Sequence, residues 1–189
     1  MKLTLVCLVC TILGLTISKD PCQGPLQWSC DFLQPRGYRD LEFGTMYIDN
    51  ENGKMRVNVN YLVNGKLSTE VDFFIFNREN ALYVYSKATT SCQKSSLSGL
   101  SHYFPSKLPN NSTFYGTYRA GENFNVDIWG YIEHNKSSNS SLQFVLSSDD
   151  CTYVSITGET ENVVFNAQFY NTKKVVDPVV FTLPQPCQD

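Results

Sequence analysis

The stretch from Val71 to Cys92, VDFFIFNRENALYVYSKATTSC, constrains this chain more than any other. It reads as a β-hairpin. Val71, Phe73 and Ile75 alternate with Phe74 and Phe76. After the polar turn Asn77-Arg78-Glu79-Asn80, Leu82 and Val84 alternate with Tyr83 and Tyr85. Successive side chains of a strand point to opposite faces, so both faces of this hairpin are apolar. Strands of that kind lie inside a sheet and need a cover on each side. One cover is protein core. The other is either a second protein layer or a bound apolar ligand.

The flanking sequence extends the hairpin into a meander. Asn52-Gly53 and Asn64-Gly65 are two-residue hairpin signals. They delimit strands over Phe43–Asp49, Lys54–Val63, Lys66–Phe76 and Ala81–Lys87. In the second of these, Met55, Val57, Val59 and Tyr61 share one face, opposite Arg56, Asn58 and Asn60. Lys19–Leu41, with Pro21, Pro25 and Pro35, reads as an irregular segment anchored by Cys22 and Trp28. Ser91–Asn111, with Pro105 and Pro109, reads as a long connection to a second layer. Further strands are expected over Thr113–Arg119, Phe124–Glu133, Leu142–Leu146, Cys151–Thr157 and Asn162–Tyr170. Trp129 and Tyr131 lie opposite Phe124, Val126 and Ile128, and the polar run 134–141 reads as a surface loop. No amphipathic helical period follows the N-terminal run. Asp177-Pro178 is suited to open a short helical turn. The result is an all-β chain of about nine strands, a curved sandwich or half-open barrel.

Met1-Lys2, the uncharged run from Leu3 to Ile17 and Ser18 have the form of a secretory signal peptide, residues 1–18. Residues 19–189 then suit a single domain. A net charge of −3 is too mild to suggest nucleic acid or an anionic membrane as partner. After cleavage, Cys22, Cys30, Cys92, Cys151 and Cys187 remain, an odd number. Secretion makes disulfides the default, and spacing alone does not choose among the pairings. Asn110, Asn111, Asn135 and Asn139 stand in Asn-x-Ser/Thr sequons and are candidate glycan sites.

Catalysis finds little support. The chain has two histidines, His102 and His134, with no Gly-x-Ser-x-Gly and no evident nucleophile and orienter. A non-enzyme is expected. No Cys/His cluster suggests zinc, and no metal site is assigned. Asp49-Asn50-Glu51-Asn52-Gly53 has the start of a calcium loop without its closing glutamate and fits a turn better. Asp149-Asp150 offers hard oxygen ligands but fits a solvated turn.

Several motifs in order resemble the ependymin and ependymin-related family. They are Pro21-Cys22-Gln23-Gly24-Pro25-Leu26-Gln27-Trp28, Cys92-Gln93-Lys94, Asn111-Ser112-Thr113-Phe114, Asp150-Cys151 and the closing run from Asp177 to Cys187, DPVVFTLPQPC. The resemblance implies a secreted, non-catalytic glycoprotein, extracellular or lysosomal. It implies two antiparallel sheets curved around a deep apolar pocket, like bacterial lipoprotein carriers, and a tendency to form homodimers. By position it implies the disulfides Cys22–Cys151 and Cys92–Cys187, leaving Cys30 without a counterpart. It associates such chains with calcium, cell–matrix adhesion and hydrophobic ligands. Phe74, Phe76, Tyr83, Tyr85, Trp129 and Tyr131 are the candidate pocket lining, since aromatic walls with polar tips suit lipid tails. Two functions follow: a carrier of a lipid or fatty-acid-like ligand, or a calcium-associated adhesion protein of the extracellular matrix acting through its glycans.

Overall fold

The computed structural model describes residues 19–36, 39–97, 108–135, 138–159 and 164–188, with the backbone alone at 133–135 and 138–140. The expected signal peptide lies outside them. One meander comprises β1 (Gln27–Pro35), β2 (Leu41–Asp49), β3 (Lys54–Val63), β4 (Lys66–Phe76), β5 (Ala81–Ser86) and β6 (Ser91–Ser96). A second comprises β7 (Thr113–Arg119), β8 (Asn125–Asn135), β9 (Ser138–Ser147), β10 (Tyr153–Glu159) and β11 (Val164–Lys173). The meanders join where β1 pairs with β11, giving one antiparallel sheet of 11 strands in the order β6-β5-β4-β3-β2-β1-β11-β10-β9-β8-β7. β6 and β7 are its two edges, so the sheet does not close into a barrel. The fold is all-β, as expected, and the two layers foreseen are two halves of one hydrogen-bonded sheet.

Four local readings change. The segment taken as irregular contains β1, because its prolines fall outside the strand or on its last residue, and Trp28, Cys30 and Phe32 alternate into the core. The connection after Ser91 begins with β6, whose polar sequence suits an edge strand. The run 134–141 is not a loop but the end of a long β8–β9 hairpin, paired in register as far as Asn135 and Ser138. The backbone ladder there does not depend on apolar side chains. The turn at Asn52-Gly53 spans four residues, from Asn50 to Gly53. The Asp49 carboxylate accepts hydrogen bonds from Asn52 N at 3.0 Å and Asn52 Nδ2 at 2.8 Å, organising that turn around itself. Asn64-Gly65 is the expected tight turn, with φ of 51° and 77°.

The inner face of the sheet carries one continuous core that draws on both meanders: Trp28, Met46 and Val59 from the first, Trp129, Phe144 and Phe169 from the second. Trp28 stacks on Tyr153 with centroids 5.7 Å apart. Leu108 joins this core at 2 % exposure. Gly44 sits where the sheet coils tightly. A Cβ placed there would meet the Asn58 carbonyl oxygen at 1.8 Å and the Phe32 ring at 3.2 Å, so a side chain at 44 would force two strands apart.

A second core lies on the outer face. Phe74, Phe76, Ala81 and Tyr83 of the hairpin pack there against Val176, Phe181 and Cys187 of the C-terminal segment. That segment includes the short 3₁₀ turn Pro178–Phe181, capped by the Asp177 carboxylate, which accepts from Val179 N at 3.0 Å. Arg56 donates to the Val180 carbonyl at 3.1 Å and to the Asp72 carboxylate at 2.9 Å, with its guanidinium 5.0 Å from the Phe74 ring centroid. The Cys92–Cys187 disulfide, with Cα atoms 5.2 Å apart, fastens the segment to β6. Cys22–Cys151, with Cα atoms 5.6 Å apart, fastens the N-terminal segment near the start of β10. Both pairings are those the family resemblance implied.

Asp127 is a buried carboxylate on the inner side of β8, at 0 % exposure. It accepts from Thr117 Oγ1 at 2.6 Å and Ser148 Oγ at 2.9 Å and forms an ion pair with Lys19. Burial alone would raise its pKa; these donors and the ammonium outweigh burial and hold it below the usual carboxylate value. The N-terminal segment is therefore tied down twice, by Lys19 and by Cys22.

Replacing Cys92 and Cys187 together by alanine should release the C-terminal segment and expose the outer core. The closed loop spans 95 residues, for which loop-closure entropy amounts to about 4–5 kcal/mol. Thermal unfolding should show a large drop in midpoint; an unchanged midpoint would mean the segment is held by packing alone. Asp150 supplies a pH test. Burial raises its pKa, but hydrogen bonds from Thr152, Lys174 and Ser147 prevail and bring it to about 2, from an ordinary 3.8. A depressed carboxylate stabilises the fold above its unfolded value, and this contribution is lost as pH falls from 3.8 towards 2. Asp150→Asn should lower stability at neutral pH and flatten the acid limb of the stability curve. A curve parallel to wild type through that window would remove Asp150 from the account.

Candidate functional site

A cavity of about 230 Å³ opens on the inner face between the first meander and β11. Its walls follow from the strand register. Met55 on β3 lies opposite Ile75 on β4, which lies opposite Leu82 on β5. The next row carries Met46, Val57 and Phe73, and the next Phe32 and Val59, with Gly44 between them. Phe169 and Ala167 of β11 complete the apolar wall. Rows on one face of a strand are ~6.6–6.8 Å apart, so the apolar part extends along the strands over several rows.

The last row differs in kind. Gln34, Glu42 and Tyr61 stand opposite one another on β1, β2 and β3, and Arg36 follows from the end of β1. Arg36 Nε donates to Glu42 at 2.8 Å; the Arg36 side chain is 50 % exposed and that of Glu42 9 %. The Tyr61 hydroxyl also donates to Glu42. Its pKa is raised, first by burial and then by the Glu42 charge and hydrogen bond. The cavity is thus apolar along its length and polar at one end.

The structure places the expected aromatic lining elsewhere. Phe74, Phe76, Tyr83 and Tyr85 are on the outer face, beneath the C-terminal segment, and do not line the cavity. The inner members of that hairpin are Phe73, Ile75 and Leu82. The two faces are exchanged relative to the sequence reading, for a physical reason: the outer face acquires its cover from a segment remote in sequence, joined through Cys92. Phe74 and Phe76 are consequently buried to 1 % and 6 % exposure. Trp129 is on the inner face, packed on Phe114 with centroids 4.9 Å apart in the other half of the sheet. Tyr131 packs beside that core and borders a second hollow of about 240 Å³. This hollow is bordered by the exposed side chains of Tyr115, Ile132 and Val164. The cavity, whose apolar wall runs over several rows and ends in polar side chains, has the character of a ligand site.

Among the described residues, no group of three or more His, Cys, Asp and Glu is placed to hold a metal ion. Asp49 is engaged by Asn52, and Asp150 by Thr152 and Lys174. His102 and the side chain of His134 lie outside the described residues. Cys30 is free and buried on the inner face at 1 % exposure. Burial, then the neighbouring Asp31 charge, pushes its thiol up to about 12, making it inert. Asn110 and Asn111 are exposed in the turn before β7, while Asn135 and Asn139 lie near the tip of the β8–β9 hairpin. Gln34, Arg36 and Glu42 were not singled out in the sequence. The period-two face Met55-Val57-Val59-Tyr61 contained a signal for Glu42 alone, since it ends in a polar-tipped residue opposite Glu42.

The fold is similar to the crystal structure of an uncharacterized conserved protein from Thermus thermophilus, with a TM-score of 0.59 and 12% identity, covering 87% of this chain and 89% of that one. A weaker likeness, with a TM-score of 0.44 and 12% identity, covers 85% of this chain and 90% of LprF from Mycobacterium bovis. No curated protein matches the chain. Residues 35–189 match the family model described as the ependymin domain, amoebozoa, and the chain belongs to the ependymin-domain family.

Proposed function

We propose that this protein is a secreted, non-enzymatic glycoprotein that binds one hydrophobic molecule, a lipid or a similar amphiphile, in the inner cavity. The observation that carries the proposal is the cavity itself: an apolar wall of Phe32, Met46, Met55, Val57, Phe73 and Ile75 with polar side chains at one end. Such a site removes an apolar ligand from water, and buried apolar area stabilises by ~25 cal/mol per Å². At about 230 Å³ it lies just below the ~300–1,000 Å³ usual for ligand pockets, which suits a single chain better than a multi-chain lipid. The N-terminal apolar run, the disulfides and the sequons, of which those at Asn110 and Asn111 are exposed, support secretion and glycosylation. Calcium enters this reading only as an ion held by glycans or weakly by surface carboxylates, and homodimers and matrix contacts are compatible with it.

Native mass spectrometry after mild extraction should find a co-purifying amphiphile. The two faces of β4 make the test specific. Ile75→Trp should fill the cavity and abolish binding of a neutral fluorescent lipid probe while the protein still unfolds cooperatively. Phe76→Ala, on the outer face, should cost about 3–5 kcal/mol of stability and leave the probe affinity unchanged. If Ile75→Trp binds the probe as wild type does, the cavity is not the site, and the glycan-mediated adhesion reading takes its place.

A further inference from the structure

The polar end of the cavity has a sign. We infer that the cavity takes single-chain amphiphiles whose head group donates hydrogen bonds, such as monoacylglycerols, and discriminates against fatty-acid anions of the same chain length, with Glu42 as the discriminating residue. The inference rests on the proposed ligand site and adds the chemistry of the head. Glu42 is the carboxylate of the last row and its side chain is 9 % exposed, whereas the Arg36 side chain that pairs with it is 50 % exposed. The negative charge is therefore inside and the positive charge at the rim. A tail lying along the Met55, Val57 and Val59 rows brings its head to the row of Gln34, Glu42 and Tyr61.

An ionised carboxylate only accepts hydrogen bonds and has about four lone-pair sites. Arg36 Nε and the Tyr61 hydroxyl supply donors to Glu42. Glu42 lines the cavity, and its remaining capacity suits a hydroxyl or amine there. A fatty-acid carboxylate in the same place adds a second negative charge beside the largely buried Glu42, and the two would have to share the single guanidinium of Arg36. Like charges at such range are strongly disfavoured, enough for a difference of about tenfold or more in affinity.

Displacement of Nile red, a neutral dye, by monolaurin and by laurate at about pH 7.5 tests this on the mature protein. Monolaurin should displace the dye at a concentration at least about tenfold lower than laurate, and Glu42→Gln should shrink that ratio to about twofold or less. Laurate displacing as well as monolaurin from wild type overturns the inference, and this comparison decides alone if Glu42→Gln does not fold. A ratio unchanged in a folded Glu42→Gln variant overturns it too. If Nile red does not bind, or neither amphiphile displaces it, the cavity reading fails and takes this inference with it. A dye that binds and is displaced without preference sinks the head-group inference alone.

Discussion

The pairing of β1 with β11 is the interaction on which the rest depends. Asp31 opposes Tyr170, Phe32 opposes Phe169 and Leu33 opposes Gln168, across nearly the whole chain length. Without it there are two separate meanders, each with one apolar face open to water. With it, Trp28 reaches Tyr153, Met46 and Phe144 enter one core, and Phe169 becomes a wall of the cavity. A contact this remote in sequence carries a loop-closure cost before it contributes any packing. Cys22–Cys151, beside β10, and the Lys19–Asp127 pair, farther out on β8, lower that cost by tying the N-terminal segment to the second meander.

The joined sheet divides its two faces between two tasks. On the outer side of the first meander the C-terminal segment packs over the apolar face, and Phe74 and Phe76 are among the most buried residues. On the inner side the covering is incomplete, and Phe73 and Ile75, their immediate neighbours, are left half-buried against a void. The rigidity of the outer side makes the inner void sustainable: a strand packed tightly on one face keeps its position when the other is not filled. The same alternation separates charges. Arg56 and Asp72 hold the outer segment, while Glu42 and Tyr61 end the inner cavity.

Much of this was legible in the sequence. The strands from Lys54 to Tyr85 follow from alternation and from the turn at Asn64-Gly65, which local chemistry determines. The disulfides followed from the resemblance. β1 was not legible, because prolines at both ends masked its alternation, and β6 was not, because an edge strand needs no apolar face. The candidate lining was read on the aromatic face of the hairpin, and the cavity lies on the other face. Aromatic size suggested a lining, although large rings are as useful beneath a protein segment as around a ligand. The deciding information lay in β6 together with the Cys92–Cys187 pairing. Cys92 opposes Tyr85, and opposed residues share a face, so the C-terminal segment had to arrive on the aromatic side. Gln34 and Arg36 could not be found this way, since their place depends on β1.

Cys30 sits in the row of Met46 and Val57, a short way after Cys22 and within the strand that joins the two halves. In the folded protein its thiol is sealed and scarcely ionised, so it cannot attack either disulfide from within. In the unfolded chain it is an ordinary thiol, one short loop from Cys22 and free to capture its partner. A bridge between those two would close a small ring over the start of β1, where the fold needs extended backbone. The strand that joins the two halves therefore carries its spare thiol on the side the core seals, and the same burial that completes the sheet keeps that thiol from the disulfide beside it.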